Sequence, residues 1–323
     1  MSNQPLIGTD VLLAAQYLRD GKLVGIPTET VYGLAANALN EDALLKIFEA
    51  KQRPKFNPLI VHVASVQELN KYVSDLPVKA KLVAEQLMPG PITLLLPKKD
   101  SVPDLATAGS NKVAIRIPNH PLTLQLLQAL DFPLCAPSAN PFGYVSPTTA
   151  EHVATGLGNK LSYVLDGDAA QIGLESTIAE ITNTELIIHR LGGMPIEKIE
   201  AVTGMKATIA LSHQQPQTPG QLKSHYAPAT PLYRGAVQEM APAHAGQNIA
   251  AICFTEPSRR LENVDYYVLS PAGDLHEAAK HLFATLREID QQTYDCIIAE
   301  YFPSNGIGLA INDRLDRAQA GMK

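Results

Sequence analysis

The sequence predicts a two-domain α/β protein, and three observations carry that expectation. Short apolar or β-branched runs alternate with amphipathic stretches along most of the chain, the pattern of a layered sheet covered by helices. A segment from about 207 to 231 interrupts the pattern with Gln, Pro, Ser and Gly. The length, 323 residues, exceeds one typical domain and leaves enough chain for a core on each side of that break. We therefore expect a first domain over 1–206, a linker over 207–232 and a smaller parallel α/β domain over 233–323.

Each element has its own signal. Residues 10–19 carry apolar positions at helical spacing, and Gly21 follows as a stop. Leu23 to Ile26 reads as a short buried strand. Asn40-Glu41-Asp42 opens a second helix with a capping residue and two acids in its first turn, and Pro54 limits it. Further strands are expected at 59–63, 92–96, 113–117 and 134–136, with helices at 66–73, 78–87 and 122–130. Runs at 163–166, 176–181 and 185–190 read as strands, the last two as a hairpin. After the linker the pattern restarts with strands at 249–254, 266–269 and 296–300 and helices at 275–289 and 310–320.

Composition narrows the class. Apolar residues make up 46% and charged residues 18% of the chain, which describes a globular protein. A net charge of -6 gives no general attraction to nucleic acid or acidic membranes. Cys135, Cys253 and Cys296 lie in or beside apolar runs without a CxxC pair, so they read as buried reduced thiols. No signal-peptide pattern and no membrane-length apolar run is apparent, and a cytoplasmic location without membrane association is expected.

Several polar clusters interrupt the apolar pattern. Pro27-Thr28-Glu29-Thr30 follows the first strand and brings hydroxyls and backbone N–H groups to its end. Lys51 and Arg53 place two cations at a helix end, either complementing its dipole or gripping a polyphosphate. His62 sits between β-branched residues, as a core group or as a ligand-binding one. Arg116, between Ile115 and Ile117, requires an anionic partner if buried, either a bound carboxylate or one of the protein's own acids. Ser138-Ala139-Asn140 and Glu175-Ser176-Thr177 add two more clusters of small polar residues.

Taken together, P-T-E-T-V-Y-G-L at 27–34, K-x-R at 51–53, N-P-L-I-V-H at 57–62, P-G-P-x-T at 89–93, R-x-P at 116–118, S-A-N at 138–140, E-S-T-I at 175–178 and R-x-G at 190–192 resemble the YrdC-like domain. With S-H-Y-A-P at 224–228, the whole chain looks like the two-domain L-threonylcarbamoyladenylate synthase family. The resemblance implies a twisted mixed sheet with helices, followed by a Rossmann-like parallel α/β domain. It also implies a reaction of L-threonine, bicarbonate and ATP that releases pyrophosphate and feeds N6-threonylcarbamoyladenosine formation in tRNA.

Carried over position by position, the resemblance implies that Thr30, His62, Arg116, Ala136 and Ser176 hold threonine. Arg53, Asn57, Lys112, Ser138, Asn140, Ser146, Arg190 and Tyr226 are implied as nucleotide contacts, Tyr226 reaching in from the linker as part of a lid. Lys51 and Arg53 are expected to be the catalytic cations, neutralising the polyphosphate together with Mg²⁺ held mainly by phosphates. A tRNA threonylcarbamoyl transferase complex is the implied downstream partner, and direct tRNA binding is left open. Two alternatives stand beside this reading: a carbamoyl transferase, disfavoured by the missing CxxC modules, and a double-stranded RNA-binding protein, disfavoured by the acidic charge.

Overall fold

A computed structural model describes residues 5–210, 218 and 225–321. The linker residues Lys223 and Ser224, singled out in the sequence, lie outside the described residues. Eleven strands form one large mixed sheet: β1 (Leu6–Gly8), β2 (Val24–Ile26), β3 (Gly33–Asn37), β4 (Ile60–His62), β5 (Ile92–Pro97), β6 (Lys112–Arg116), β7 (Leu134–Cys135), β8 (Tyr163–Leu165), β9 (Thr177–Ile181), β10 (Leu186–Arg190) and β11 (Ala207–Ile209). Their order is β1-β8-β2-β3-β7-β4-β6-β5-β9-β10-β11. The smaller domain holds β12 (Leu232–Arg234), β13 (Ile249–Cys253), β14 (Val264–Val268) and β15 (Cys296–Ala299), all parallel and ordered β12-β15-β13-β14.

Local chemistry sets the helix ends where the sequence places them. Asp10 accepts from the N–H groups of Leu12 and Leu13 to cap the helix Val11–Arg19. Asn40 caps Glu41–Lys51, which ends at Gln52 in the left-handed region with φ 54°. The expected hairpin is present as the antiparallel pair β9 and β10.

Several elements depart from the sequence reading, among them β1, β12 and the four that follow. Gly33–Asn37, written in residues of low strand preference, becomes β3 because β2 and β7 pair with it on either side. Helices at Ala150–Leu157 and Ile196–Thr203, eight residues each, were not expected from the sequence. Ala207–Ile209, expected to open the linker, pairs with β10 and extends the large sheet past residue 206.

One continuous buried cluster joins the two domains. It includes Leu44, Ile115 and Ile188 from the first and Leu282, Phe283 and Ile311 from the second. Gly173 marks how closely they meet: at φ 77°, a Cβ there would stand 2.5 Å from the Ala279 carbonyl oxygen. Cys135, Cys253 and Cys296 are buried free thiols, as expected. Among the described residues no helix is long and apolar enough to cross a membrane.

Candidate active site

The turn after β2 crosses the last residues of β4, β6 and β10 and the loop after β7, and a cavity opens between them. Thr28, Thr30, Arg53, His62, Arg116, Ala136, Ser138, Glu175, Arg190, His225 and Tyr226 contribute to its wall. Ile60 and His62 are two apart on β4, and Arg116 stands in register beside His62 on β6, so strand alternation turns all three to one face. Backbone bonds from Leu34 N–H to Pro137 and from Ala139 N–H to Tyr32 lace the Ser138 loop to the Thr30 turn.

Three guanidiniums at this cavity are almost fully buried, and each is fixed by the chain around it. Arg53 donates to the carbonyls of Asn57 at 3.1 Å and Pro58 at 2.8 Å, and burial pulls its pKa down to about 9. Arg190 donates from Nε to the Ser176 carbonyl and from Nη2 to Ser176 Oγ, both at 3.0 Å. Arg116 donates to Glu29 Oε1 at 2.7 Å and to Thr30 Oγ1 at 3.1 Å. The anionic partner of Arg116 within the chain is therefore Glu29, from the P-T-E-T turn. Arg116 Nε and Glu29 Oε2 are buried without a hydrogen-bond partner among the described residues.

His62 is neutral at physiological pH. Burial, and then the neighbouring Arg116 charge, push its pKa down to about 3. Its Nδ1 lies 3.1 Å from the Ile60 carbonyl oxygen. Such a ring binds and orients a ligand and is too weakly basic to strip an ammonium.

The sequence-derived residues divide into a wall and a supporting layer. Thr30, Arg53, His62, Arg116, Ala136, Ser138, Arg190 and Tyr226 reach the cavity. Lys51 does not. Its ammonium is committed to the carbonyls of Ser138, at 2.5 Å, and Asn140, and it braces that loop from behind. Burial, with Arg53 close by, holds its pKa well below that of an ordinary lysine. Asn140 donates to the Pro141 and Tyr144 carbonyls, Ser146 donates to Glu175 Oε1 at 2.5 Å, and Ser176 meets Thr93 Oγ1 at 2.7 Å. Asn57 is wholly buried, with both amide atoms lacking a partner among the described residues. Lys112 stands at the opposite end of β6 from Arg116, where its ammonium meets Glu180 at 2.5 Å, and it is not part of the cavity wall.

Sequence reasoning quoted Glu29, Glu175 and His225 within motifs but gave them no role. Glu175 lines the cavity and joins it to the second domain. Its Oε1 accepts from Ser146 and its Oε2 from Arg314 Nε at 2.9 Å. Burial raises its pKa, but Arg314 and Arg190 outweigh that and hold it below the usual carboxylate value. Arg314 also donates to the Leu191 carbonyl at 2.8 Å and lies 4.8 Å from the Tyr226 ring centre. Gly192 lets the backbone of Glu175 pass close beside it, because a Cβ there would sit 2.3 Å from the Glu175 carbonyl oxygen.

His225 and Tyr226 close the cavity from the linker side. The Tyr226 ring is 2% exposed, stacks on Phe283 at 5.7 Å, and its backbone is left-handed with φ 63°. A tyrosine there is an uncommon conformation that the surrounding contacts maintain. His225 packs edge-on against Phe142, and burial, then the charges of Arg53 and Lys51, keep its ring neutral.

Comparison with known proteins follows this geometry. Residues 16–192 match the family model described as "Telomere recombination", and residues 194–320 match the model of the threonylcarbamoyl-AMP synthase C-terminal domain. A threonylcarbamoyl-AMP synthase of Pyrococcus abyssi is 38% identical, covering 95% of this chain and 93% of the relative. That of Bacillus subtilis is 40% identical, covering 95% and 92%. A crystal structure of a Pyrococcus abyssi protein complexed with L-threonine aligns with a TM-score of 0.89 at 36% identity, covering 98% of this chain and 97% of that one.

Proposed function

The chain belongs to the threonylcarbamoyl-AMP synthase family, and from that premise we propose how its own residues carry the reaction. The enzyme joins L-threonine, bicarbonate and ATP into threonylcarbamoyl-AMP, releasing pyrophosphate and water, for N6-threonylcarbamoyladenosine formation in tRNA. The observation that supports this assignment most directly is the convergence of Arg53, Arg116 and Arg190, all buried, on one cavity beside Thr30, His62 and Ala136. Buried cations in this number favour a polyanionic ligand.

The amine of threonine captures bicarbonate, or the CO₂ it yields, to give a carbamate and water. A carbamate oxygen then attacks the α-phosphorus, and the bond to pyrophosphate breaks. The nucleophile already carries negative charge, so the opposing terms are repulsion between anions and the entropy of gathering three ligands. Arg53 and Arg190 meet the phosphates, with Ser138 and Tyr226 beside them, and the Asn57 carbonyl holds Arg53 from behind. Arg116 and His62 orient threonine, and Ala136 shapes the space for its methyl group. Lys51, Asn140 and Ser146 hold the walls in place. Tyr226 and His225 keep water from the labile product.

Among the described residues no cluster of three or more His, Cys, Asp or Glu converges, and the acids at the cavity are tied to Arg116, Ser146 and Arg314. That donor set fits Mg²⁺ carried on the triphosphate by phosphate oxygens and water, where it would neutralise charge between phosphates.

The test is pyrophosphate release by the purified chain with Mg²⁺ and ATP, omitting L-threonine and bicarbonate in turn. Release should require both. Release indifferent to threonine would overturn the proposal, and steeply salt-dependent RNA binding without turnover would replace it.

A further inference from the structure

The turn after β2 contains a chain of hydroxyl groups whose proton directions can be deduced. Thr28 Oγ1 lies 2.6 Å from the Val31 carbonyl oxygen and 2.6 Å from Thr30 Oγ1. The backbone N–H groups of Thr30 and Val31, each at 3.2 Å, share one of its two lone pairs, leaving the other for the Thr30 hydroxyl. A hydroxyl has one proton to give, and a carbonyl has none. The Thr28 proton therefore goes to Val31, and the proton between the two hydroxyls comes from Thr30. Arg116 Nη1 donates to the same Thr30 oxygen at 3.1 Å. Thr30 has then given away its proton and filled one lone pair, so it offers the cavity a single acceptor position.

We propose that Thr28 is a positioning residue that fixes Thr30 as a hydrogen-bond acceptor, and that the donor seated there is the β-hydroxyl of L-threonine. Threonine brings three polar groups. Its carboxylate only accepts, so it is repelled by a Thr30 lone pair and suits Arg116. Its ammonium must lose a proton to attack carbon, and an acceptor held against it would stabilise the unreactive charged form. The nitrogen keeps an N–H as amine and as carbamate but changes its charge and geometry between the two steps, whereas the hydroxyl stays the same neutral donor through both. Selection of threonine over analogues without the hydroxyl then depends on a wall residue whose own hydroxyl is already committed to the Val31 carbonyl and to Thr30. The inference rests on the reading that threonine lies beside Thr30.

The experiment compares kcat/KM for L-threonine and L-2-aminobutyrate, which lacks only the hydroxyl, by pyrophosphate release. O-methyl-L-threonine, whose ether cannot donate, is the third substrate. The unmodified enzyme should prefer threonine over both analogues by at least about a hundredfold, because a site built for a hydroxyl rejects its absence strongly. Thr28→Val should cut the preference over 2-aminobutyrate at least about tenfold, through the threonine KM and with the ATP KM unchanged. Thr28→Ser, which keeps the proton relay, should restore it, whereas a purely structural defect would not track the hydroxyl. Thr28→Ala serves in place of the valine variant if that fails to fold. Preference retained in Thr28→Val or Thr28→Ala but lost in Thr30→Val would overturn the relay and leave the site reading standing. Preference retained in Thr30→Val would overturn the site reading itself. Brisk turnover of O-methyl-L-threonine by the unmodified enzyme would overturn the donor assignment without any variant.

Discussion

Arg116 carries its counter-ion with it, and this shapes what a single substitution does. Glu29→Gln leaves the guanidinium buried without its carboxylate, a change that typically costs about 3–5 kcal/mol. Urea unfolding should show that loss, and saturating L-threonine should recover part of it, because the substrate carboxylate replaces the missing anion. His62 gives a pH-dependent prediction. The unfolded ring takes a proton below about pH 6.5 and the folded ring only near 3, so stability rises with pH across that window. The slope is at most about 1.4 kcal/mol per pH unit for this residue. His62→Gln should reduce the slope of unfolding free energy against pH between those limits, the part that remains coming from His152 and His225, whose pKa values burial also lowers. The sequence showed that Arg116 needed an anion but not which one, since the answer depends on a turn 87 positions away. Lys51 illustrates the converse. A cation two residues from Arg53 reads as a pair, yet the last turn of its helix aims the amine at two carbonyls behind the site.

The elements were legible where an apolar run or an amphipathic stretch stood out from its neighbours, down to the seven residues of Val66–Tyr72, and illegible where pairing partners made the strand. β3 exists because two neighbours bond to it, and a sequence of Gly, Leu, Ala, Ala and Asn does not announce that. The helix Gly308–Gln319 was visible as a helix, but its role was not. One of its residues, Arg314, lies wholly buried against Glu175, the Leu191 carbonyl and the Tyr226 ring. Arg314→Gln should therefore lower stability by about 3 kcal/mol and raise the ATP KM more than the threonine KM, since Glu175 and Arg190 lie on the nucleotide side. A double-mutant cycle with Glu175→Gln should return a coupling above about 1 kcal/mol; additive effects would contradict a direct pair.

At the scale of the whole molecule, the second domain completes the first. The helix Leu275–Ile289 sends Arg287 to the carbonyls of Val145, at 2.5 Å, and Ser146, at 3.2 Å, and places Phe283 against Tyr226. A chain ending at residue 210 lacks these supports as well as Tyr226. Its threonine-dependent pyrophosphate release should fall at least about tenfold below that of the full chain, a loss near 1.4 kcal/mol in the barrier. Equal rates would show that the second domain leaves the chemistry untouched. Tyr226 is also only six residues from Leu232, where β12 is locked into its sheet by β15. The stretch between them is pinned: Ala227 N–H donates to the Gly143 carbonyl at 2.9 Å, and the Ala229 and Thr230 N–H groups donate to the Asp290 carboxylate at 2.8 and 2.9 Å. The ring can therefore leave the cavity only by first breaking bonds made at the end of the second domain's longest helix, which makes the grip of that helix the latch of the entrance.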